Sequence, residues 1–166
     1  MHELAPMAAA LGALLKTRRE TVAVAESSAG GLISAALLAV PGASAYFLGG
    51  SVVYTQAARR ALLQVPDEAV KGIRSSTEAY AALKARTVRH LLGATWGLAE
   101  TGATGPAGNR YGDAAGHACI AVAGPAERVI TLETGHGDRE KNMWAFAAAA
   151  LELLHAALKE HPGGTA

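Results

Sequence analysis

The sequence predicts an α/β protein, a three-layer α/β/α sandwich around a mixed, mostly parallel sheet with one antiparallel hairpin strand. Three observations carry this. Short apolar, β-branched runs alternate with stretches of helical apolar period over the first hundred residues, the pattern of parallel strands joined by helical crossovers. Two further apolar runs flank Gly124-Pro125, as a hairpin requires. At 166 residues, 51% hydrophobic but only 5% aromatic, the chain fits one domain (1–166, with its core over 4–158) in which alanine and small aliphatics allow close packing.

The elements follow in order. Leu4, Met7, Ala8, Leu11, Leu14 and Leu15 fall on one face of a helix from Glu3 to Arg18. Thr21-Val22-Ala23-Val24-Ala25 has the composition of a buried strand. Gly30 and Gly31 open a helix from Leu32 to Val40, which Pro41-Gly42 stops. Gly49-Gly50 punctuates the chain before a second strand, Ser51 to Tyr54, and Thr55 caps a short helix from Gln56 to Leu63. Ser75, with Glu78 three residues on, or Ser76 caps the next helix, which runs to Leu92. Thr95 to Ala99 is the third strand, followed by a glycine-rich loop from Thr101 to Gly108. His117–Ala123 and Arg128–Glu133 make the hairpin, Asp138 caps a last helix to Lys159, and residues 160–166 are a frayed tail.

Composition excludes several functions. Fifteen basic and fourteen acidic residues leave a net charge of +1, without the basic stripe of a nucleic-acid binder. The densest basic stretch, Lys84, Arg86, Arg89 and His90, reads as a solvated helix face. The single cysteine, Cys119, lies in an apolar run and reads as a buried structural thiol. No leader and no apolar run of membrane-spanning length is visible, so a cytoplasmic protein with no membrane partner is expected. A charged fraction of 17% is low and points to a homo-oligomer. The six histidines show no ligand spacing, and His117 with Asp113 makes no site; neither a metal nor a cofactor is expected.

In an α/β sheet, ligands bind at the carboxyl ends of the strands. Three loops fall there: Glu26 to Gly31, Tyr54 to Arg59, and Glu100 to Gly108. Ser27 can act as a nucleophile with nearby N–H groups as an oxyanion site, although the spacing alone fits a helix cap by Ser27 or Ser28 better. Tyr54 and Arg59 stand at the second strand end, where the guanidinium suits anion binding rather than proton abstraction. The third loop can hold a phosphate on its backbone amides or be a plain turn.

These loops in this order resemble the CinA C-terminal domain family, whose members include nicotinamide mononucleotide amidohydrolases. The resemblance rests on Ala25-Glu26-Ser27-Ser28-Ala29-Gly30-Gly31, Val40-Pro41-Gly42-Ala43-Ser44-Ala45, Tyr54-Thr55-Gln56-Ala57-Ala58-Arg59, Thr101-Gly102-Ala103-Thr104-Gly105-Pro106 and Gly137-Asp138-Arg139. It implies hydrolysis of the carboxamide of nicotinamide mononucleotide, or of a related small phosphorylated amide, with Ser27 as nucleophile. It also implies that Tyr54 orients the substrate or relays a proton, and that Ser28, Gly30, Gly31, Thr101, Gly102, Thr104, Gly105 and Arg139 bind the substrate. Departures stand beside the matches. The family's lysine falls on Arg59, its first-loop threonine on Ala29, its third-loop alanine on Thr104, and an arginine near the last helix on Met143. Arg59 then holds the phosphate, and Glu26 or Tyr54 replaces the base. The alternative is a nucleotide-binding domain whose catalysis is impaired.

Overall fold

The computed structural model describes residues 1–161. Five strands form one sheet in the order β2-β1-β3-β4-β5, comprising β1 (Val22–Glu26), β2 (Phe47–Val52), β3 (Trp96–Ala103), β4 (His117–Ala123) and β5 (Arg128–Glu133). β1 pairs in parallel with β2 and β3, whereas β4 is antiparallel to both β3 and β5. Only β4 therefore runs against the other four, and the expected mixed sheet with one reversed hairpin strand is what forms.

The helices are α1 (Ala5–Arg18), α2 (Leu32–Leu38), α3 (Gln56–Leu62), α4 (Glu78–Leu92) and α5 (Arg139–Glu160). One face of the sheet presents Val22, Val24, Trp96, Leu98, Ile120 and Val122 to α1, α2 and α5. The other presents Ala23, Ala25, Ala99, Cys119 and Ala121 to α4. These alanines let α4 lie close. At Gly97 a Cβ would run into the Ala85 carbonyl of that helix. The strand alternation thus divides the chain into two cores on one central sheet, as period-2 side-chain placement demands. The Trp96 indole N–H, closed in at the strand start, donates to Glu20 Oε2 at 2.7 Å.

Several boundaries differ from expectation. β2 begins at Phe47, so Gly49-Gly50 lies inside an edge strand instead of before it. The cause is close approach: a Cβ on Gly50 would stand 3.1 Å from Ser34 Cβ of α2. α4 is capped by Thr77, whose Oγ1 accepts from Tyr80 N–H at 3.2 Å, and not by Ser75 or Ser76. Ser76 has φ 58, a left-handed conformation that cannot serve as an extended N-cap. α2 stops at Leu38, short of Val40, and β3 runs on from Ala99 to Ala103, so Glu100, Thr101 and Gly102 are strand residues and not loop. α5 includes Glu160, placed in the expected frayed tail; residues 162–166 lie outside the described residues. Thr55 and Asp138 do cap α3 and α5, accepting from Ala58 N–H at 3.1 Å and Lys141 N–H at 3.2 Å. No helix among the described residues is long and apolar enough to cross a membrane.

Candidate functional site

The carboxyl ends of β1 and β3 open into a cavity of about 660 Å³. Ser27, Tyr54, Thr55, Tyr80, Thr101 and Gly102 line it, as do Arg60, Asn109, Arg110 and Tyr111. A smaller cavity of about 320 Å³ shares Tyr54, Gly102 and Asn109 and is walled by Ser28, Thr104, Gly105 and Arg139. Of the twelve expected residues, eight line one or both of these spaces, and Glu26, Gly30, Gly31 and Arg59 line neither.

Glu26 is 0% exposed. Its carboxylate accepts from the N–H groups of Gly31 at 2.8 Å, Ile33 at 3.1 Å and Ser34 at 3.0 Å, and from the Ser34 hydroxyl at 2.6 Å. It caps α2, satisfying amides that would otherwise be orphaned. This corrects its expected role as a replacement base, because its oxygens face its own chain. Gly31 is likewise no substrate ligand through its amide, and the Gly30 amide donates to Ser27 O at 3.1 Å. Gly31 is required for its backbone, with φ 101 at the start of the helix.

Arg59 is the second correction. It is 4% exposed; its Nε donates to Val65 O at 3.2 Å and its guanidinium pairs with Asp67. The guanidinium faces away from the cavity, and the neighbouring Arg60 lines it. One residue along α3 turns the direction by about 100°, which is enough to exchange an inward for an outward side chain.

The two serines also part. Ser28 is buried and its hydroxyl donates to Glu100 Oε1, whereas Ser27 faces the larger cavity. Glu100 is the residue that sequence reasoning missed at the centre of the site. It is 0% exposed, and its Oε2 accepts from both Ser27 N–H and Ala29 N–H at 2.9 Å. Its signal was its place two residues after Leu98, on the same side of β3 as Trp96 and Leu98. Lys84 was missed as well. It was expected on a solvated face but is 0% exposed, and its Nζ donates to the Glu100 carbonyl at 2.9 Å. Burial pushes this amine down to about 8, against the opposing pull of Glu100 and Glu26. The signal was the spacing of Ala81, Lys84, Ala85 and Val88, which puts the lysine on the apolar stripe.

The rest of the site is built from tied loops. Arg139 Nη1 donates to Gly105 O at 2.8 Å and Nη2 to the Tyr54 hydroxyl at 3.3 Å, so the expected ligand also braces the third loop. Asn142, fully buried and unforeseen, donates to Thr104 O and to His136 O at 2.8 Å. Gly105 has φ 108, and a Cβ there would lie 2.6 Å from Gly137 O, so only glycine fits between the loops. Arg74, over the ring of Tyr111, makes a bidentate pair with Asp113 at 2.6 and 2.9 Å and holds that carboxyl below its usual range. His117 bonds Glu133 through Nδ1 and donates from Nε2 to Ser76 O at 2.9 Å. Burial alone would lower its pKa, but these bonds and the nearby Asp113 outweigh it and raise it. Cys119 is buried as expected, and that burial pushes its thiol up. Among the described residues no cluster of His, Cys, Asp and Glu has the geometry to hold a metal ion.

A mixed sheet with a serine just past the end of β1, beside a cavity at the strand ends, defines an α/β protein with its candidate site at the carboxyl ends of its parallel strands. The sequence model of the CinA C-terminal domain matches residues 4–158, and the chain belongs to that family. A CinA-like protein of Synechococcus sp. (strain RCC307) is 38% identical over 141 residues, 85% of this chain and 34% of that protein. One of Salinibacter ruber is 38% identical over 144 residues, 87% and 35% respectively. The chain thus spans about a third of the length of these curated relatives. Among crystal structures, a CinA superfamily protein of Klebsiella pneumoniae superposes with TM-score 0.88 at 25% identity, covering 95% of this chain and 98% of that one. The competence/damage-inducible protein of Agrobacterium tumefaciens does so with TM-score 0.86 at 27% identity, covering 93% and 94%.

Proposed function

We propose that this chain is an amidohydrolase that cleaves the carboxamide of nicotinamide mononucleotide, or of a related phosphorylated amide, through Ser27. One observation carries the reading: Ser27 lines a cavity that Arg60 and Arg110 also line, so a serine hydroxyl and two cations able to bind a phosphate share one space. The Ser27 oxygen adds to the amide carbon, its proton passing to the departing nitrogen. Ammonia leaves, and water then cleaves the acyl-serine ester to give the carboxylate and the free hydroxyl. Tyr54, whose hydroxyl accepts from Arg139 and which lines the same cavity, is the residue assigned to orient the amide or pass on the proton.

The expected ammonium of the second loop is an arginine tied to Asp67, which favours the second reading, a nucleotide-binding domain without turnover. Ammonia release from nicotinamide mononucleotide by wild type and Ser27→Ala separates the two. Release that vanishes with Ser27→Ala is expected. Equal rates in both contradict the serine mechanism, and calorimetric binding without release supports the binding domain.

A further inference from the structure

Three ionisable side chains have no access to solvent: Lys84 on α4, Glu26 on β1 and Glu100 on β3, and Glu100 bonds the loop that carries Ser27. Every hydrogen bond to either carboxylate comes from an N–H or O–H donor, four on Glu26 and three on Glu100. Among the described residues, neither carboxylate has a direct ion pair. Two buried negative groups need a countercharge in so dry a place. Lys84 is the cation that feels both.

The groups around Lys84 can be named element by element. β3 supplies Glu100, whose carbonyl takes the ammonium at 2.9 Å, and β1 supplies Glu26. From its own helix, the Tyr80 ring lies 5.9 Å from Nζ, and Tyr80 lines the cavity beside Ser27 and Thr101. β4 carries His117 and Cys119, both directed to the Ser76 carbonyl, and β5 brings Glu133 to His117. The acidic partners are therefore Glu26 and Glu100.

We propose that Lys84 is a positioning residue of the Ser27 site: its ammonium is the countercharge that keeps Glu100 gripping the amides of Ser27 and Ala29. As far as turnover is concerned, this rests on the Ser27 reading above; as far as the loop is concerned, it does not. Glu100 bonds the residue before and after Ser28 and the Ser28 hydroxyl itself, so it fixes the backbone from which Ser27 projects. The grip weakens when the amine loses its proton, and burial has brought that event down to about pH 8.

Amide hydrogen exchange tests this without any substrate. Protection factors of Ser27 and Ala29, relative to Ala23 and Ala25 of β1, are measured by NMR between pH 7 and 9.5 in wild type and Lys84→Met. The expected result at pH 7 is a relative loss of about tenfold or more in Lys84→Met, with wild type losing the same protection above pH 8. Unchanged relative protection in Lys84→Met overturns the proposal. If that variant does not fold, a constant ratio in wild type across the range overturns it. The double variant Lys84→Met/Glu100→Gln removes both charges and is expected to recover the fold but not the grip on Ser27. If wild type shows the exchange behaviour yet releases no ammonia, the countercharge stands and the hydrolase reading falls.

Discussion

Arg59 and Arg60 are adjacent in sequence and opposite in use. Arg59 turns inward to Val65 and Asp67, and Arg60 lines the cavity while also reaching Asp67 at 3.0 and 3.1 Å. Restoring the family's lysine by Arg59→Lys is therefore expected to add no ammonia release. It lowers stability by about 1–3 kcal/mol, since the Val65 carbonyl loses a fixed donor. Arg60→Ala is expected to raise KM for a phosphorylated substrate several-fold with little change in kcat, read from steady-state ammonia release. Ser28→Ala removes the hydroxyl bonded to Glu100 and lowers stability, but it leaves the Ser27 oxygen that the proposed chemistry needs. At this scale the sequence was a partial guide. Motif register put Ser27 and Tyr54 at the cavity, but residue type alone could not say which way Arg59 points or that Glu26 caps a helix.

Among the elements, the hairpin was legible to the residue, because two apolar runs flank the turn residues Gly124-Pro125 and the strands pair from His117 with Glu133 to Val122 with Arg128. The helix α4 was legible in extent and misread in face. Its basic residues suggested a wet surface, whereas the period places Lys84 with Ala81, Ala85 and Val88 against the sheet. β3 outran its expected end because Glu100 and Thr101 look like loop residues until their partners are known. Thr101 accepts from Ser76 N–H at 3.3 Å, and Glu100 from the first loop. The joint between the glycine loop and α5 rests on Asn142. Asn142→Ala is expected to cost about 1–3 kcal/mol in urea unfolding, because the buried Thr104 carbonyl loses its donor and the part-buried His136 carbonyl loses one as well.

Over the whole molecule, two buried groups give the pH dependence of stability opposite slopes. His117 binds its proton more tightly when folded, so its contribution is complete below the unfolded value of 6.5 and is lost as pH rises through the raised folded value. Lys84 binds its proton less tightly when folded, about 8 against 10.5, so stability rises with pH across that window by about 3 kcal/mol. Urea midpoints between pH 6 and 10.5 check both signs: His117→Gln removes the falling limb, and Lys84→Met the rising one. A homo-oligomer is a further proposal at this scale. The edge strand β2 leaves Leu48 and Val52 exposed, and Leu38, Leu62 and Leu92 are exposed as well. Sedimentation velocity at micromolar concentration is expected to show no dominant monomer.

The most direct test of the Ser27 hydrolase is a crystal structure with nicotinamide mononucleotide bound. The amide carbon is expected within roughly 3–3.5 Å of the Ser27 oxygen, the separation of a near-attack pose, with the phosphate against Arg60 and Arg110. An amide directed at Ser28, or a ligand seated away from this cavity, would contradict it.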